Sequence, residues 1–136
     1  MIRILLVDDH DMMRSGLKLM IQADPQMRVI AEATTGRTAV DLAHELKPDV
    51  VVMDLRMPDL GGIDATRQIV ASDPGIKVIA LTAHADGQTA TAAMAAGASG
   101  YVIKDAAFEE LSNAIQSAME NKVFLSPRVR DAIGQP

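Results

Sequence analysis

Three acidic residues, a hydroxyl and an ammonium in this sequence each follow a short apolar run. Ile4-Leu5-Leu6-Val7 leads into Asp8 and Asp9, and Val50-Val51-Val52-Met53 leads into Asp54. Val78-Ile79-Ala80-Leu81 ends at Thr82, and Tyr101-Val102-Ile103 ends at Lys104. If these runs are parallel strands, all of these groups emerge on one edge of one sheet, where ligands bind in open α/β folds. Clustered carboxylates repel one another, and a cation removes that repulsion. Mg²⁺ fits, being a hard ion that takes oxygen ligands and shares them with phosphate; Mn²⁺ accepts the same donors. A carboxylate is also a nucleophile toward phosphorus, giving an aspartyl phosphate. Such a transfer depends on neutralising charge on the phosphoryl oxygens. The cation, Lys104, the Thr82 hydroxyl and backbone N–H groups near Leu55 and Ala83 could supply that. Asp54 is the strongest candidate nucleophile: it ends the central strand expected and is followed by a turn, Leu55-Arg56-Met57-Pro58.

Taken singly, each residue has a blander reading. Asp8 and Asp9 suit a solvated strand end or a helix N-cap, and Asp54 suits the first position of an Asx turn. A lone lysine or threonine carries almost no specificity. The information lies in the shared placement, with each group at the end of an apolar run.

The elements that must position these groups follow from two alternating periods. β-Branched runs occur at 2–7, 28–33, 49–53, 76–81 and 100–103. Segments with helical spacing lie between them: Met13, Leu17 and Ile21; Val40, Ala43 and Leu46; Ile63, Thr66, Ile69 and Val70; an alanine-rich stretch from Asp86 to Ala96; and Phe108, Leu111, Ile115 and Met119. Strands alternating with helices predict an α/β fold with a parallel sheet, because right-handed crossovers place helices on both faces. Asp24-Pro25, Lys47-Pro48 and Asp73-Pro74-Gly75 separate helical stripes from strands, and Gly97 suits a helix C-cap. Ser126-Pro127 breaks the last long helix, and Pro127 suits the first turn of a short one. Val129 and Ile133 could share a face of that short helix.

The bulk numbers describe an ordinary globular chain of 136 residues, 49% hydrophobic and 23% charged, long enough for one domain with a core. With one tyrosine, two phenylalanines and no tryptophan, the core must be built from aliphatic side chains. A net charge of −5 argues against nucleic-acid binding by these residues, since phosphate contacts require excess Lys and Arg. The absence of cysteine excludes disulfides and thiolate metal sites. No apolar run approaches a membrane span, and Met1-Ile2-Arg3 passes straight into a strand-like run rather than a signal peptide. Cytoplasmic localisation, with no membrane partner, is the expectation.

The set Asp8-Asp9, Asp54 with Met57-Pro58 and Gly61-Gly62, Thr82-Ala83 and Lys104 resembles the receiver domain of bacterial two-component response regulators, from Ile2 to about Lys122. Val7-Asp8-Asp9-His10, Leu81-Thr82-Ala83-His84, Ile103-Lys104-Asp105-Ala106 and Phe124-Leu125-Ser126-Pro127 look most like the NarL/FixJ (LuxR-type) subgroup. The resemblance implies a flavodoxin-like (βα)5 three-layer sandwich with a five-stranded sheet of order 2-1-3-4-5. It implies a receiver over residues 1–122, followed at 123–136 by a tail or the start of an interdomain linker. It further implies that Asp54 accepts a phosphoryl group from a sensor histidine kinase. Asp9, Asp54 and the Arg56 carbonyl would ligate Mg²⁺, with Asp8 acting through water, and Thr82, the Ala83 backbone and Lys104 would bind phosphoryl oxygens. Thr82 and Tyr101 take the switch positions, changing the face made by the fourth helix, fifth strand and fifth helix. The expected output is a helix-turn-helix DNA-binding domain absent from this chain, with homodimerisation on phosphorylation as a family expectation. The bland reading of Tyr101 is a half-buried strand aromatic with a wet hydroxyl.

One departure is Asp105, where many receivers carry a proline after the lysine and a cis bond before it; the sequence leaves the Lys104–Asp105 bond open. Arg56 and His84 flank the site and either tune hydrolysis of the acyl phosphate or lie idle on the surface. His10 and His44 read as loop and helix-surface residues. A phosphatase of the haloacid-dehalogenase type would require a second aspartate where Arg56 stands. A phosphate-independent scaffold would be expected to have lost part of the acidic set.

Overall fold

The computed structural model describes residues 1–57, 60–83 and 86–132, the last by its backbone. The strands are β1 (Ile2–Val7), β2 (Met27–Ala33), β3 (Val50–Asp54), β4 (Lys77–Thr82), β5 (Gly100–Ile103) and β6 (Phe124–Leu125). The helices are α1 (Asp11–Gln22), α2 (Gly36–Leu46), α3 (Gly62–Ser72), α4 (Gly87–Ala95), α5 (Ala107–Met119) and α6 (Pro127–Ala132), with a 3-10 turn at Lys104–Ala106 before α5. All pairings are parallel, in the order β2-β1-β3-β4-β5-β6.

Strands covered on both faces are apolar at consecutive rather than alternate positions, as residues 4–7 of β1 and 50–53 of β3 show. Ile4 and Leu6, with Val50, Val52, Ile79 and Leu81, pack against Leu17 and Ile21 of α1 and Leu111 and Ile115 of α5. Leu5 and Val7, with Val51, Met53 and Val78, face Ala39 and Ala43 of α2 and Ala65 and Ile69 of α3. This is the three-layer flavodoxin-like arrangement. Local signals set the helix ends. The Thr35 side chain caps α2 by accepting from the Thr38 N–H, and the Asp86 side chain caps α4 by accepting from the Gln88 N–H. Gly97, one residue past the α4 cap, has φ +110°, a conformation that favours glycine.

The sheet has six strands where five were expected. Phe124 and Leu125 pair with Gly100 and Tyr101 along the outer edge of β5, and the Ser126 N–H donates to the Tyr101 carbonyl at 3.0 Å. A two-residue strand is too short to show a period-2 pattern. The α6 helix starts at Pro127 as expected, and Val129 is fully buried against the domain; Ile133 lies outside the described residues. In the α5 stripe, Leu111 and Ile115 are buried while Phe108 and Met119 remain substantially exposed.

Candidate functional site

Parallel register brings the strand ends together. Val7 lies beside Met53, Asp54 beside Leu81 and Thr82 beside Ile103. The residues that follow therefore rise side by side at the carboxyl edge. The backbone is held there: the Asp8 N–H donates to the Ala33 carbonyl at 3.1 Å and the Leu55 N–H to the Leu81 carbonyl at 3.0 Å. Gly62 permits α3 to begin against this edge, because a Cβ on it would lie 2.3 Å from the Asp54 carbonyl oxygen.

Asp54 is 1% exposed. Its Oδ1 accepts from the Arg56 N–H at 3.1 Å, and its Oδ2 accepts from Lys104 Nζ at 3.0 Å. The Asx-turn reading and the site reading of Asp54 thus hold together, one per carboxylate oxygen. Asp8 is fully buried. Its Oδ1 accepts from the His10 N–H at 2.8 Å, and its Oδ2 makes no hydrogen bond among the described residues. Lys104 Nζ stands 3.6 Å from that Oδ2, close enough for an ion pair and too far for a hydrogen bond. Asp9 is partly exposed at the mouth. No peptide bond among the described residues is cis, so Lys104–Asp105 is trans. Burial pushes the Asp54 carboxyl up to about 6; the Arg56 N–H and Lys104 oppose this, and the neighbouring Asp8 charge adds to it. A buried carboxylate oxygen without a hydrogen bond, beside a second carboxylate held above its usual range, is what a cation is suited to relieve.

Ligand atoms of Asp8, Asp9, His10 and Asp54 lie within 4.8 Å of one another. His10 is the residue the sequence reading left out, as an ordinary loop residue. The signal that could have found it is the Asx turn: the Asp two residues earlier accepts its N–H and folds its ring back over the edge.

Thr82, at the end of β4, is 3% exposed. Ala83 follows it on the surface, lining an open groove of about 620 Å³ with His10, Met12, Lys104 and Phe108. Arg56 is exposed beside Asp54; Pro58 and His84 lie outside the described residues. Tyr101 is fully buried, which goes against its bland reading as a half-buried strand aromatic. Its hydroxyl makes no hydrogen bond within ordinary geometry among the described residues. Burial raises its pKa, the adjacent Thr82 side chain works the other way, and the Asp86 charge adds to the rise. β6 covers the outer edge of β5, the strand that carries this ring.

A parallel α/β sheet with an aspartate-rich carboxyl edge, a lysine on the aspartate of its central strand and a buried aromatic two strands away is the arrangement of a receiver-type signalling domain. The chain belongs to the response regulator receiver domain family, which it matches over residues 4–116. It is 41% identical over 129 residues to the response regulator GacA of Pseudomonas aeruginosa, covering 95% of this chain and 60% of that protein. It is 43% identical over 131 residues to the transcriptional regulatory protein LiaR of Bacillus subtilis, covering 95% and 61%. Among solved structures, a LuxR-family two-component response regulator from Aurantimonas sp. SI85-9A1 superposes with a TM-score of 0.94 at 40% identity, over 98% of this chain and 96% of that one. These matches agree with the LuxR-type resemblance. The chain spans about three fifths of the length of the curated relatives it matches. No helix among the described residues is long and apolar enough to cross a membrane.

Proposed function

We propose that this domain is a phosphorylation-controlled switch in which Asp54 takes a phosphoryl group from a histidine of a sensor kinase. The observation that carries this reading is the ammonium of Lys104 bonded to a buried Asp54 oxygen, with a buried Asp8 oxygen that makes no hydrogen bond beside it. An Asp54 oxygen forms the new bond to phosphorus as the phosphorus–nitrogen bond to the donor imidazole breaks, and the bonding pair returns to that nitrogen. Lys104 and the Thr82 hydroxyl, with the Ala83 N–H, balance charge on the transferring oxygens. Asp8, Asp9, Asp54 and the Arg56 carbonyl would hold Mg²⁺, or Mn²⁺ in its place, which supplies positive charge against those oxygens when bound. The donor set fits a hard cation, being rich in anionic oxygen and short of positive charge.

The phosphoryl group binds one arrangement of Thr82 and Tyr101 better than the other and shifts the population toward it. The face of α4, β5 and α5 then differs between the two arrangements, and this difference is the output. In the full regulator that output is transcriptional, through a DNA-binding domain outside these residues, in the cytoplasm, with homodimerisation as a consequence of phosphorylation. The domain catalyses its own phosphoryl transfer and slow hydrolysis and turns over no separate substrate.

Incubation with Mg²⁺ and acetyl phosphate, followed by intact mass measurement, tests the reading. One labile phosphoryl addition is expected, lost in Asp54→Asn and lost without the metal. A folded, Mg²⁺-binding protein that takes no phosphoryl group from acetyl phosphate or from a histidine kinase would instead be a phosphate-independent scaffold.

A further inference from the structure

We propose that His10 is a ligand residue of the cation site. Its Nδ1 joins Asp8, Asp9 and Asp54 in a mixed nitrogen–oxygen donor set that binds divalent transition ions of the Co²⁺, Ni²⁺ and Zn²⁺ kind in preference to Mg²⁺. This rests on the cation-site reading above and goes beyond it, since that reading uses oxygen donors only.

The placement of the ring is specific. Nδ1 lies 3.1 Å from Asp9 Oδ1, 3.2 Å from Asp8 Oδ1 and 3.9 Å from Asp54 Oδ2. It therefore stands where the three carboxylates converge. His10 occupies the N-cap position of α1, yet its side chain makes no capping hydrogen bond; the ring is turned toward the acids instead. Two backbone bonds fix that direction. The His10 N–H donates to Asp8 Oδ1 at 2.8 Å, and the His10 carbonyl accepts from the Arg14 N–H at 2.9 Å. Arg14 in turn donates to the Asp8 carbonyl at 2.9 Å, so the whole Asp8–His10 turn is held from the first turns of α1. Independently of these contacts, the buried Asp8 Oδ2 makes no hydrogen bond among the described residues; its positive neighbour, Lys104 Nζ at 3.6 Å, is shared with Asp54 at 3.0 Å, so one ammonium faces three carboxylates. The side chain of His10 is 65% exposed, so its other nitrogen can face water while Nδ1 faces the site.

The chemistry of the donors decides which ion gains. Imidazole suits nickel, zinc and copper, whereas Mg²⁺ keeps to carboxylate, carbonyl and water. Affinity of a mixed site rises along the first-row series from Mn²⁺ through Co²⁺ to Ni²⁺. A nitrogen in the donor set steepens that rise and leaves Mg²⁺ nearly indifferent to it.

The test is pulsed electron paramagnetic resonance of the protein loaded with Mn²⁺, beside calorimetric titrations with Ni²⁺ and Mg²⁺. Wild-type protein is expected to show the ¹⁴N modulation of a directly bound imidazole. In His10→Ala the Mn²⁺ still binds, the modulation disappears, and Ni²⁺ affinity falls at least about tenfold, as changes even to groups that only support a ligand do. His84→Ala, the other histidine beside the site in the sequence, keeps the modulation. Mn²⁺ bound without ¹⁴N coupling would overturn the assignment of His10 and leave the oxygen-only cation site standing. Coupling that survives His10→Ala and is lost in His84→Ala would overturn it equally. No Mn²⁺ bound to wild type would overturn both this inference and the cation site beneath it. His10 is exposed, so the variant is expected to keep the wild-type circular dichroism spectrum, which shows that a lost signal is not lost fold.

Discussion

β1 and β3 carry Asp8 and Asp54 out of strands whose central side chains are all buried, on one face among Leu, Ile, Val and Met and on the other against both alanines and larger side chains of α2 and α3. β4 and β5 carry Thr82 and Tyr101 into a different setting. There the packing is supplied by Ala80, Ala90, Ala93 and Ala98, with Leu55, Ile103 and Val129 closing around the ring. Interiors of large interlocked side chains are rigid and transmit strain, whereas an alanine methyl buries little area and so contributes little to holding its neighbours. The charged side of the edge is thus the more closely interlocked and is electrostatically stressed, while the aromatic side is held by smaller contacts. A change of charge at Asp54 cannot move β3 and is expected to be absorbed by Thr82, Tyr101 and α4. Elements that move in switching are drawn from the less stable parts of a fold. Four substitutions test that division.

The largest loss is expected on the rigid side, at Gly62. A Cβ there meets the Asp54 carbonyl oxygen at 2.3 Å and the Leu55 Cα at 2.6 Å, both backbone atoms with no rotamer to retreat into. Gly62→Val should cost about 3 kcal/mol or more, the upper end for overpacking, read as a lowered urea midpoint. Wild-type stability in this variant would show that β3 and α3 can slide apart and that the charged half is not the more closely interlocked.

Asp54→Asn should act in the opposite direction on the same half. The carboxyl is raised from 3.8 to about 6, so its stability contribution is full below its unfolded value and is lost as pH rises through 6. Metal-free wild-type protein should therefore lose stability between about pH 4 and pH 6, a window set by burial of the charge. Two units correspond to roughly 3 kcal/mol, an upper limit because water at the open mouth near Asp9 screens the charge. The asparagine variant should be more stable than wild type at pH 7 without metal and should have lost that pH dependence. Mg²⁺ should stabilise wild type at pH 7 and the variant much less. Equal thermal midpoints from pH 5 to pH 7 in the two metal-free proteins would show that Asp54 carries no such stress.

Asp54, Thr82 and Lys104 were legible in the sequence because each ends a strand whose burial on both faces makes it a continuous apolar run. The parallel sheet was legible for the same reason, and its order came from the family resemblance. What lay beyond the sequence was set by contacts with no period. His10 reaches the acids through one turn hydrogen bond. β6 is two residues long. Val129 is buried only because Ser126 ties the chain to β5, its Oγ accepting the Ile103 N–H at 3.1 Å and donating to Glu110. The exposed Phe108 misled in the other direction: it keeps the helical spacing of α5 but stands one turn before the buried part, against Gly16.

On the aromatic side, Val129→Ala should cost about 2 kcal/mol, the transfer of the lost methyl groups plus a small cavity. Because Val129 and Tyr101 share one cluster, the loss should be accompanied by exposure of the ring. Tyr101 is the only tyrosine and there is no tryptophan, so intrinsic fluorescence reports this residue alone. Increased quenching by iodide in Val129→Ala would show that the segment after α5 holds the ring inward. Unchanged quenching with the same loss of stability would separate the two and place the restraint in α4.

The smallest effect is expected at Tyr101 itself. Its ring fills the space between β4, α4 and α6, but its hydroxyl is buried without a hydrogen bond of ordinary geometry among the described residues. Removing a polar group held by no hydrogen bond of ordinary geometry recovers much of its desolvation cost while keeping the packing of the ring. Tyr101→Phe should therefore be neutral or stabilising by up to about 1 kcal/mol, the reverse of what loss of an established hydrogen bond gives. The phenol is raised by burial, so its stability contribution is present below pH 10 and is lost as pH rises through its folded value. The phenylalanine variant should keep its stability to higher pH than wild type. A destabilisation of Tyr101→Phe by more than about 1 kcal/mol at pH 7 would mean that the hydroxyl is bound to Thr82 strongly enough to matter. The Thr82 and Tyr101 side chains would then already be coupled without phosphate, and the aromatic half would be less free than its alanine packing implies.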